Sequence, residues 1–247
     1  MGAAAEPKYR RVLLKLSGEA LSSASHAIDP EVVAAVAEDL KPVVDAGVQV
    51  AVVIGAGNIF RGMSSVAADM NRAIADSMGM LGTVINALAL QDGFRRAGVT
   101  TAAMSAISMP TMCEPYSRRR AIELLEQGTV VLLGGGTGNP YFTTDTAAVL
   151  RGLEVGAGVV LKATKVDGVY DKDPKRHPDA KKYDRLTHND VVEQGLRVMD
   201  ATAATLCQEG GLPIVVFSML TRGNILRAVL GEPIGTLVEP SAHKSEG

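Results

Sequence analysis

The 247-residue chain carries 25 Lys and Arg against 27 Asp and Glu, a formal net charge of −2. At roughly 100–200 residues per domain that makes one large domain or two small ones, and the near balance of charge leaves no chain-wide positive field to gather a nucleic-acid backbone. Hydrophobic residues at 47% and charged residues at 21% give enough apolar side chain to bury a core, which excludes disorder for all but the ends.

Cys113 and Cys207 stand far apart with no C-x-x-C spacing, so neither a disulfide framework nor a zinc site is expected, and a reducing cytoplasm fits. The polar stretch before Arg10 lacks the apolar centre of a signal peptide, and no run reads as the ~20 apolar residues of a membrane span. Trp is absent and aromatics are 4%, which argues against a stacking platform for single strands. Neither nucleic acid nor membrane is an expected partner.

Short β-branched runs alternate with longer helical patterns, the sign of βαβ units. The first strand is predicted at 11–16. Asp29-Pro30 then supplies an N-cap and a first-turn proline for a helix that runs to about Ala46 and stops at Gly47, with Pro42 expected to kink it. Further strands are predicted at 49–54, 99–104, 129–133, 159–162 and 214–217, with helices at 83–97, 117–127, 145–155, 200–209 and 221–230. The runs from Val50 to Ile54 and from Val130 to Leu133 do not alternate with polar residues, so helices should cover both faces of those strands. The expected fold class is a three-layer α/β/α sandwich around a mainly parallel sheet.

Without a Gly/Ser linker or internal repeat, residues 8–240 read as a single domain, with flexible termini at 1–7 and 241–247. Pro174 and Pro178 among charges mark 168–185 as a surface hairpin or lid, its segment 177–185 the mobile part. The basic run Arg118-Arg119-Arg120 reads as a solvated face. Methionines from Met63 to Met112 read as adaptable core or a subunit interface.

Three glycine-bearing turns each follow a predicted strand: Lys15-Leu16-Ser17-Gly18, Gly55-Ala56-Gly57-Asn58, and Gly134-Gly135-Gly136-Thr137-Gly138-Asn139. In a parallel sheet all three fall on one carboxyl edge, where open α/β folds bind ligands. Each could be a plain strand-to-helix turn; together they point to an anion-binding cleft, because glycine lets backbone N–H groups approach phosphate oxygens. No Gly-Lys dipeptide occurs, so there is no P-loop, and none of the turns reads G-x-G-x-x-G. The four histidines, at 26, 177, 188 and 243, have no metal-site or triad spacing.

Charged residues remain at the strand ends. Lys15 closes the first strand, Lys162 the fifth, and Asp145 opens a helix just after the third glycine turn. Singly these read as an edge lysine or an N-cap. As a set they suit phosphoryl transfer, which asks for backbone donors and lysines to neutralise spreading charge and an acid to hold the lysines. Asp200, after Val198-Met199, reads first as an N-cap.

The motifs K-L-S-G-E-A-L at 15–21, I-G-A-G-N-I-F-R-G at 54–62, G-T-G-N-P-Y-F-T-T-D-T at 136–146 and K-A-T-K-V-D-G-V-Y at 162–170 resemble those of the bacterial uridylate kinases, a branch of the amino acid kinase family. The likeness runs from about Lys8 to Glu239. It implies the carbamate kinase-like fold and transfer of the γ-phosphoryl group of ATP·Mg²⁺ to UMP, giving UDP and ADP. It places Lys15, Leu16, Ser17, Gly18, Gly57 and Arg61 along ATP, with Thr164, Tyr170 and Asp173 around its adenine and ribose. UMP would meet Ala56, Asp76 and the run Thr137, Gly138, Asn139, Pro140, Tyr141, Phe142, Thr143 and Thr144. Lys15, Lys162, Asp145, Arg61 and, through the family's Val-Met-Asp acid, Asp200 would serve the transfer itself, with no protein-held metal.

The resemblance also implies a homohexamer, feedback by UTP and a cytoplasmic enzyme of pyrimidine nucleotide synthesis. Two positions depart from the pattern: Ser22-Ser23-Ala24-Ser25-His26 lacks the glycine found in GTP-activated members, and Ala56 replaces a common glycine, acceptable where φ stays negative. Two alternatives stand beside this reading. One is a sister amino acid kinase acting on a carboxylate or carbamate, and the other is a nucleotide-binding protein that lost turnover.

Overall fold

The computed structural model describes residues 6–60, 69–196 and 198–240. In chain order the strands are β1 (Arg11–Leu16), β2 (Gln49–Ile54), β3 (Thr101–Ser105), β4 (Glu114–Pro115), β5 (Val130–Gly134), β6 (Val160–Thr164), β7 (Val169–Tyr170), β8 (Lys182–Tyr183), β9 (Arg185–Thr187), β10 (Ile214–Ser218) and β11 (Thr236–Glu239). The helices are α1 (Pro30–Asp45), α2 (Arg72–Arg96), α3 (Arg118–Glu126), α4 (Thr144–Val155), α5 (His188–Glu193), α6 (Ala201–Gly210) and α7 (Asn224–Val229), with a short 3₁₀ turn at Gly18–Leu21.

Nine strands form one sheet in the order β4-β3-β5-β2-β1-β6-β10-β11-β9. Every pairing in it is parallel except β10 with β11. The central strands are buried on both faces because their side chains alternate between two cores. Val12, Leu14, Val50, Val52 and Leu161 pack with α1, α2 and α7, whereas Leu13, Ala51, Val53 and Val160 pack with α3, α4 and α6. The three-layer sandwich expected from the sequence is the observed architecture.

Local signals set the helix ends. The Asp29 carboxylate accepts from Glu31 N–H at 2.9 Å with Pro30 in the first turn, and the helix continues through Pro42 to Asp45. Thr143 caps α4, accepting from the N–H groups of Asp145 and Thr146 at 3.1 and 3.3 Å, and Gly156 ends it in the left-handed region at φ 69°.

Several expectations need correction. The helix predicted at 83–97 begins eleven residues earlier, at Arg72, where the Asn71 side chain accepts from Ala73 N–H at 2.9 Å. Its length and composition would suffice to cross a membrane, contrary to the expectation that no such run exists, and it lies instead against β3, β5 and α1. The third strand starts at Thr101 rather than 99, and the terminal helix is shorter, opening after Gly223 at φ 81°. The short strands β4, β7, β8, β9 and β11 were not anticipated individually. The predicted surface hairpin is real, since β7 and β8 pair antiparallel, Val169 with Tyr183 and Tyr170 with Lys182.

Candidate active site

Because β1, β2, β5 and β6 run parallel, their carboxyl ends share one edge, and the three glycine turns meet there. The first two turns touch. A Cβ on Gly18 would lie 2.7 Å from both Gly55 O and Gly57 N, so only glycine fits. Gly55 N–H donates to Leu16 O at 3.0 Å, and the Thr144 hydroxyl lies 3.6 Å from where a Gly55 Cβ would be. The third turn is unusually wound, with φ of 76°, 57° and 83° at Gly135, Gly136 and Gly138, and Tyr141 is the described non-glycine residue with positive φ, 74°. Ala56 therefore keeps the negative φ that its replacement of glycine requires.

Sheet register brings the charges together. Lys15 on β1 pairs with Lys162 on β6, and both project, like Leu13 and Val160, to the face that α4 covers. Asp145 in the first turn of α4 sits between them: its Oδ1 lies 3.0 Å from Lys15 Nζ and its Oδ2 2.7 Å from Lys162 Nζ. Lys162 also donates to Val198 O at 2.6 Å. The three side chains are 14%, 18% and 12% exposed, in the order Lys15, Asp145, Lys162.

Burial pushes the Asp145 carboxyl up, but the two flanking ammonium groups outweigh it and hold the group below the ordinary carboxylate value. Lys162 is lowered, chiefly by burial, with Asp145 opposing and the like charge of Lys15 adding to the shift. The cluster carries one net positive charge at the edge of the cleft, beside the positive end of the α4 dipole. That arrangement favours an anion at the edge of the cleft.

Cavities open on either side of this cluster. One, of about 600 Å³, is lined by Lys162, Thr164, Tyr170, Asp173 and Val216, so it contains the residues expected around adenine and ribose. Here the Tyr170 hydroxyl donates to Asp167 at 2.7 Å and Asp173 accepts from Lys175 N–H at 3.0 Å. The other, of about 350 Å³, is lined by Ala56, Gly57, Asp76, Phe142, Thr143 and Thr144.

The run expected to hold the acceptor divides. Thr137, Asn139 and Phe142 face an adjoining groove of about 680 Å³ between α4 and α6, while Tyr141 is exposed. Asp76 accepts from Tyr141 N–H at 2.7 Å and lies 3.4 Å from Arg72, whose guanidinium covers the Tyr141 ring at 5.6 Å. Leu16 is buried, Ser17 precedes the 3₁₀ turn, and Pro140 and Gly138 lie within the third turn. Arg61 lies outside the described residues.

Asp200 takes the N-cap place that the sequence gives it. It caps α6, accepting from Ala203 N–H at 3.0 Å, and it accepts from the hydroxyls of Thr146, at 3.1 Å, and Thr143. Sequence reasoning missed two anchors on the buried side of α2. Asn86 donates to Gly55 O at 2.7 Å and to the Asn58 side chain at 2.8 Å, and Thr83 accepts from Gly135 N–H at 2.8 Å. Their one signal was polar residues three apart, facing inward on an apolar helix.

Comparison with known proteins agrees with this geometry. The family model described as the amino acid kinase family matches residues 10–218. The structure of UMP kinase from Bacillus anthracis superposes with a TM-score of 0.91 at 39% identity, covering 95% of this chain and 97% of that one. That of UMP kinase from Ureaplasma parvum gives 0.89 at 36% identity, covering 94% and 99%. The uridylate kinase from Archaeoglobus fulgidus gives 0.73 at 31% identity, covering 92% and 99%. The chain belongs to the amino acid kinase family.

Proposed function

We propose that this chain transfers the γ-phosphoryl group of MgATP to UMP, forming UDP and ADP. The observation that carries the reading is the Lys15–Asp145–Lys162 chain of ion pairs between two cavities at the meeting of three glycine turns. A phosphate oxygen of UMP attacks the γ-phosphorus, and the bond from that phosphorus to the β,γ-bridging oxygen breaks, leaving ADP. The acceptor phosphate is already almost fully ionised at neutral pH, its second pKa being ~6, so no general base is called for. The obstacle is repulsion between two polyanions, and Lys15 and Lys162 are placed to offset it.

MgATP would lie along Lys15, Leu16, Ser17, Gly18, Gly57 and Arg61, with its base and ribose against Thr164, Tyr170 and Asp173. UMP would occupy the side formed by Ala56, Asp76 and the run from Thr137 to Thr144. Asp145 aligns the two lysines, and Asp200 steadies Thr143 at the start of α4. Mg²⁺ would enter on the nucleotide phosphates and offset their charge there.

Further readings belong with this proposal: a single domain over 8–240, a cytoplasmic role in pyrimidine nucleotide synthesis, feedback by UTP, and a homo-oligomer, expected to be a hexamer. The outer face of α2 supports the oligomer, since Ile74, Met78, Leu81 and Ile85 are exposed at spacings that form one apolar stripe. Release of ADP from MgATP is to be measured with UMP, CMP, dTMP, AMP, aspartate, glutamate or carbamate as acceptor. Turnover mainly with UMP supports the reading; turnover with an acid indicates the sister activity, and tight UMP binding without turnover indicates a non-catalytic protein.

A further inference from the structure

Arg151 is a buried cation with no part in the chemistry above. It lies on the inner face of α4, its side chain 7% exposed, among Ala147, Ala148, Gly152 and Val155. Enclosing a guanidinium there is costly unless every face of it is matched, and an apolar side chain would stabilise the fold at least as well. The matching is specific. One guanidinium nitrogen donates to Glu154 at 2.6 Å, and the Tyr116 ring covers its plane, the centroid 4.0 Å from the guanidinium carbon. The Tyr116 hydroxyl donates to the same Glu154 oxygen at 2.6 Å, and burial together with that carboxylate keeps the phenol firmly protonated.

The other terminal nitrogen points at the third glycine turn, 3.3 Å from Gly136 O and 3.5 Å from Thr137 O. Gly135, Gly136, Gly138 and Tyr141 all have positive φ in this short segment. Glycine backbone of this kind has many alternatives to its native path and loses much entropy in keeping to it. Three side chains from outside the segment hold it: Thr83 accepts from Gly135 N–H, Asp76 grips Tyr141 N–H, and Arg151 grips the two carbonyls between them. A peptide carbonyl and the next N–H point in opposite directions, so fixing Gly136 O turns the Thr137 N–H away from Arg151.

We propose that Arg151, seated on Tyr116 and Glu154, is a positioning residue that fixes the peptide planes of Gly136 and Thr137 and so sets the affinity for the phosphoryl acceptor. The inference rests on the acceptor reading of the run from Thr137 to Thr144. Its effect is confined to one substrate, because the residues assigned to adenine and ribose stand across the cluster, on β6 and the hairpin. Lysine cannot replace it, since an ammonium lacks the planar fork that reaches Glu154 and the carbonyls together.

The test is steady-state kinetics of Arg151→Met, Arg151→Lys and Tyr116→Leu, with UMP varied at saturating MgATP and then the reverse. The expected result for Arg151→Met is a KM for UMP raised about ten-fold or more, with the KM for MgATP within about two-fold of wild type. Arg151→Lys should recover only part of the loss. Tyr116→Leu, which keeps the charge and removes its seat, should raise the UMP value about three-fold and serves alone if the Arg151 variants fail to fold. A UMP KM unchanged in folded variants, or both KM values rising together with the loss of Tm, overturns the positioning role. Wild-type protein that turns over another acceptor, or none, would overturn the acceptor reading itself, a separable outcome.

Discussion

Replacing Asp145 by Asn keeps the shape of the side chain and deletes the charge that joins two lysines. At the observed separations of 3.0 and 2.7 Å, each ion pair is a gross attraction of about 6 kcal/mol for an effective dielectric constant of 20. Much of that is cancelled by desolvation, and removing one partner of a buried pair typically costs ~3–5 kcal/mol. For a chain of this size that corresponds to a fall in Tm of roughly 10 °C. The larger consequence is electrostatic. Burial already depresses Lys162, and Asp145 is the strongest influence opposing it; without that carboxylate the weaker pull of Asp200 is left against burial and the like charge of Lys15, and Lys162 surrenders its proton at lower pH.

Two limbs of the pH–rate profile therefore separate. The acid limb, set by the second ionisation of the acceptor at pH ~6, stays where it is, while the basic limb of kcat in Asp145→Asn moves toward neutrality. At pH 7 kcat should drop by about 10²–10³, the loss expected when a preorganised charge at a reacting centre is removed. The assay is ADP release over pH 5.5–10 for both proteins, with circular dichroism to confirm folding. A folded variant whose basic limb is unmoved and whose kcat lies within about three-fold of wild type would refute the reasoning.

Lys15→Ala should lower kcat far more than it raises the KM for UMP, because the ammonium is asked to act on charge that develops during transfer; steady-state kinetics decide, and near-normal turnover would contradict it. Gly18→Ala forces a Cβ to within 2.7 Å of Gly55 O, so thermal unfolding should show a loss of about 1–3 kcal/mol, with weakened ATP binding by calorimetry. Buried His188, paired with Leu212 O at 3.1 Å, is held below its ordinary value of 6.5 by burial. Its unfolded form thus binds the proton first as pH falls, and stability declines below pH 6.5 down to its folded value. His188→Gln should flatten the dependence of Tm on pH between 7 and 5; parallel curves for the two proteins would exclude that role. Asp145 has the sign of a paired carboxylate, adding stability above pH 3.8 that is lost as pH falls through its lowered folded value.

The strands bounding the cleft were legible because they are buried on both faces and read as uninterrupted apolar runs; β1 and β2 have the bounds the sequence predicts. The start of α2 was hidden for a physical reason. Its outer face carries Ile74, Met78, Leu81 and Ile85 while its inner face carries Gly82, Thr83 and Asn86, so the apolar periodicity that marks a helix is nearly cancelled. Two-residue strands such as β4 and β7 owe their existence to a neighbour and carry no pattern of their own.

At the site, Lys15, Asp145 and Lys162 could be named from motif and strand end alone, but their contact follows from register, the pairing of Lys15 with Lys162, which no local pattern encodes. Asn86, Thr83 and Arg151 escaped for the same reason. Each acts on backbone that is distant in sequence and is recognised only when the helix face it occupies is known.

The central claim is that the edge cluster moves phosphate from ATP onto another phosphate. Its most direct test is ³¹P NMR of the protein with MgATP and UMP, following the acceptor signal as it becomes that of a diphosphate. The account predicts UDP and ADP appearing in equal amounts at the expense of both substrates, and the same signals failing to appear with Asp145→Asn at matched times. Loss of the ATP γ-signal to free phosphate with UMP unchanged would contradict it.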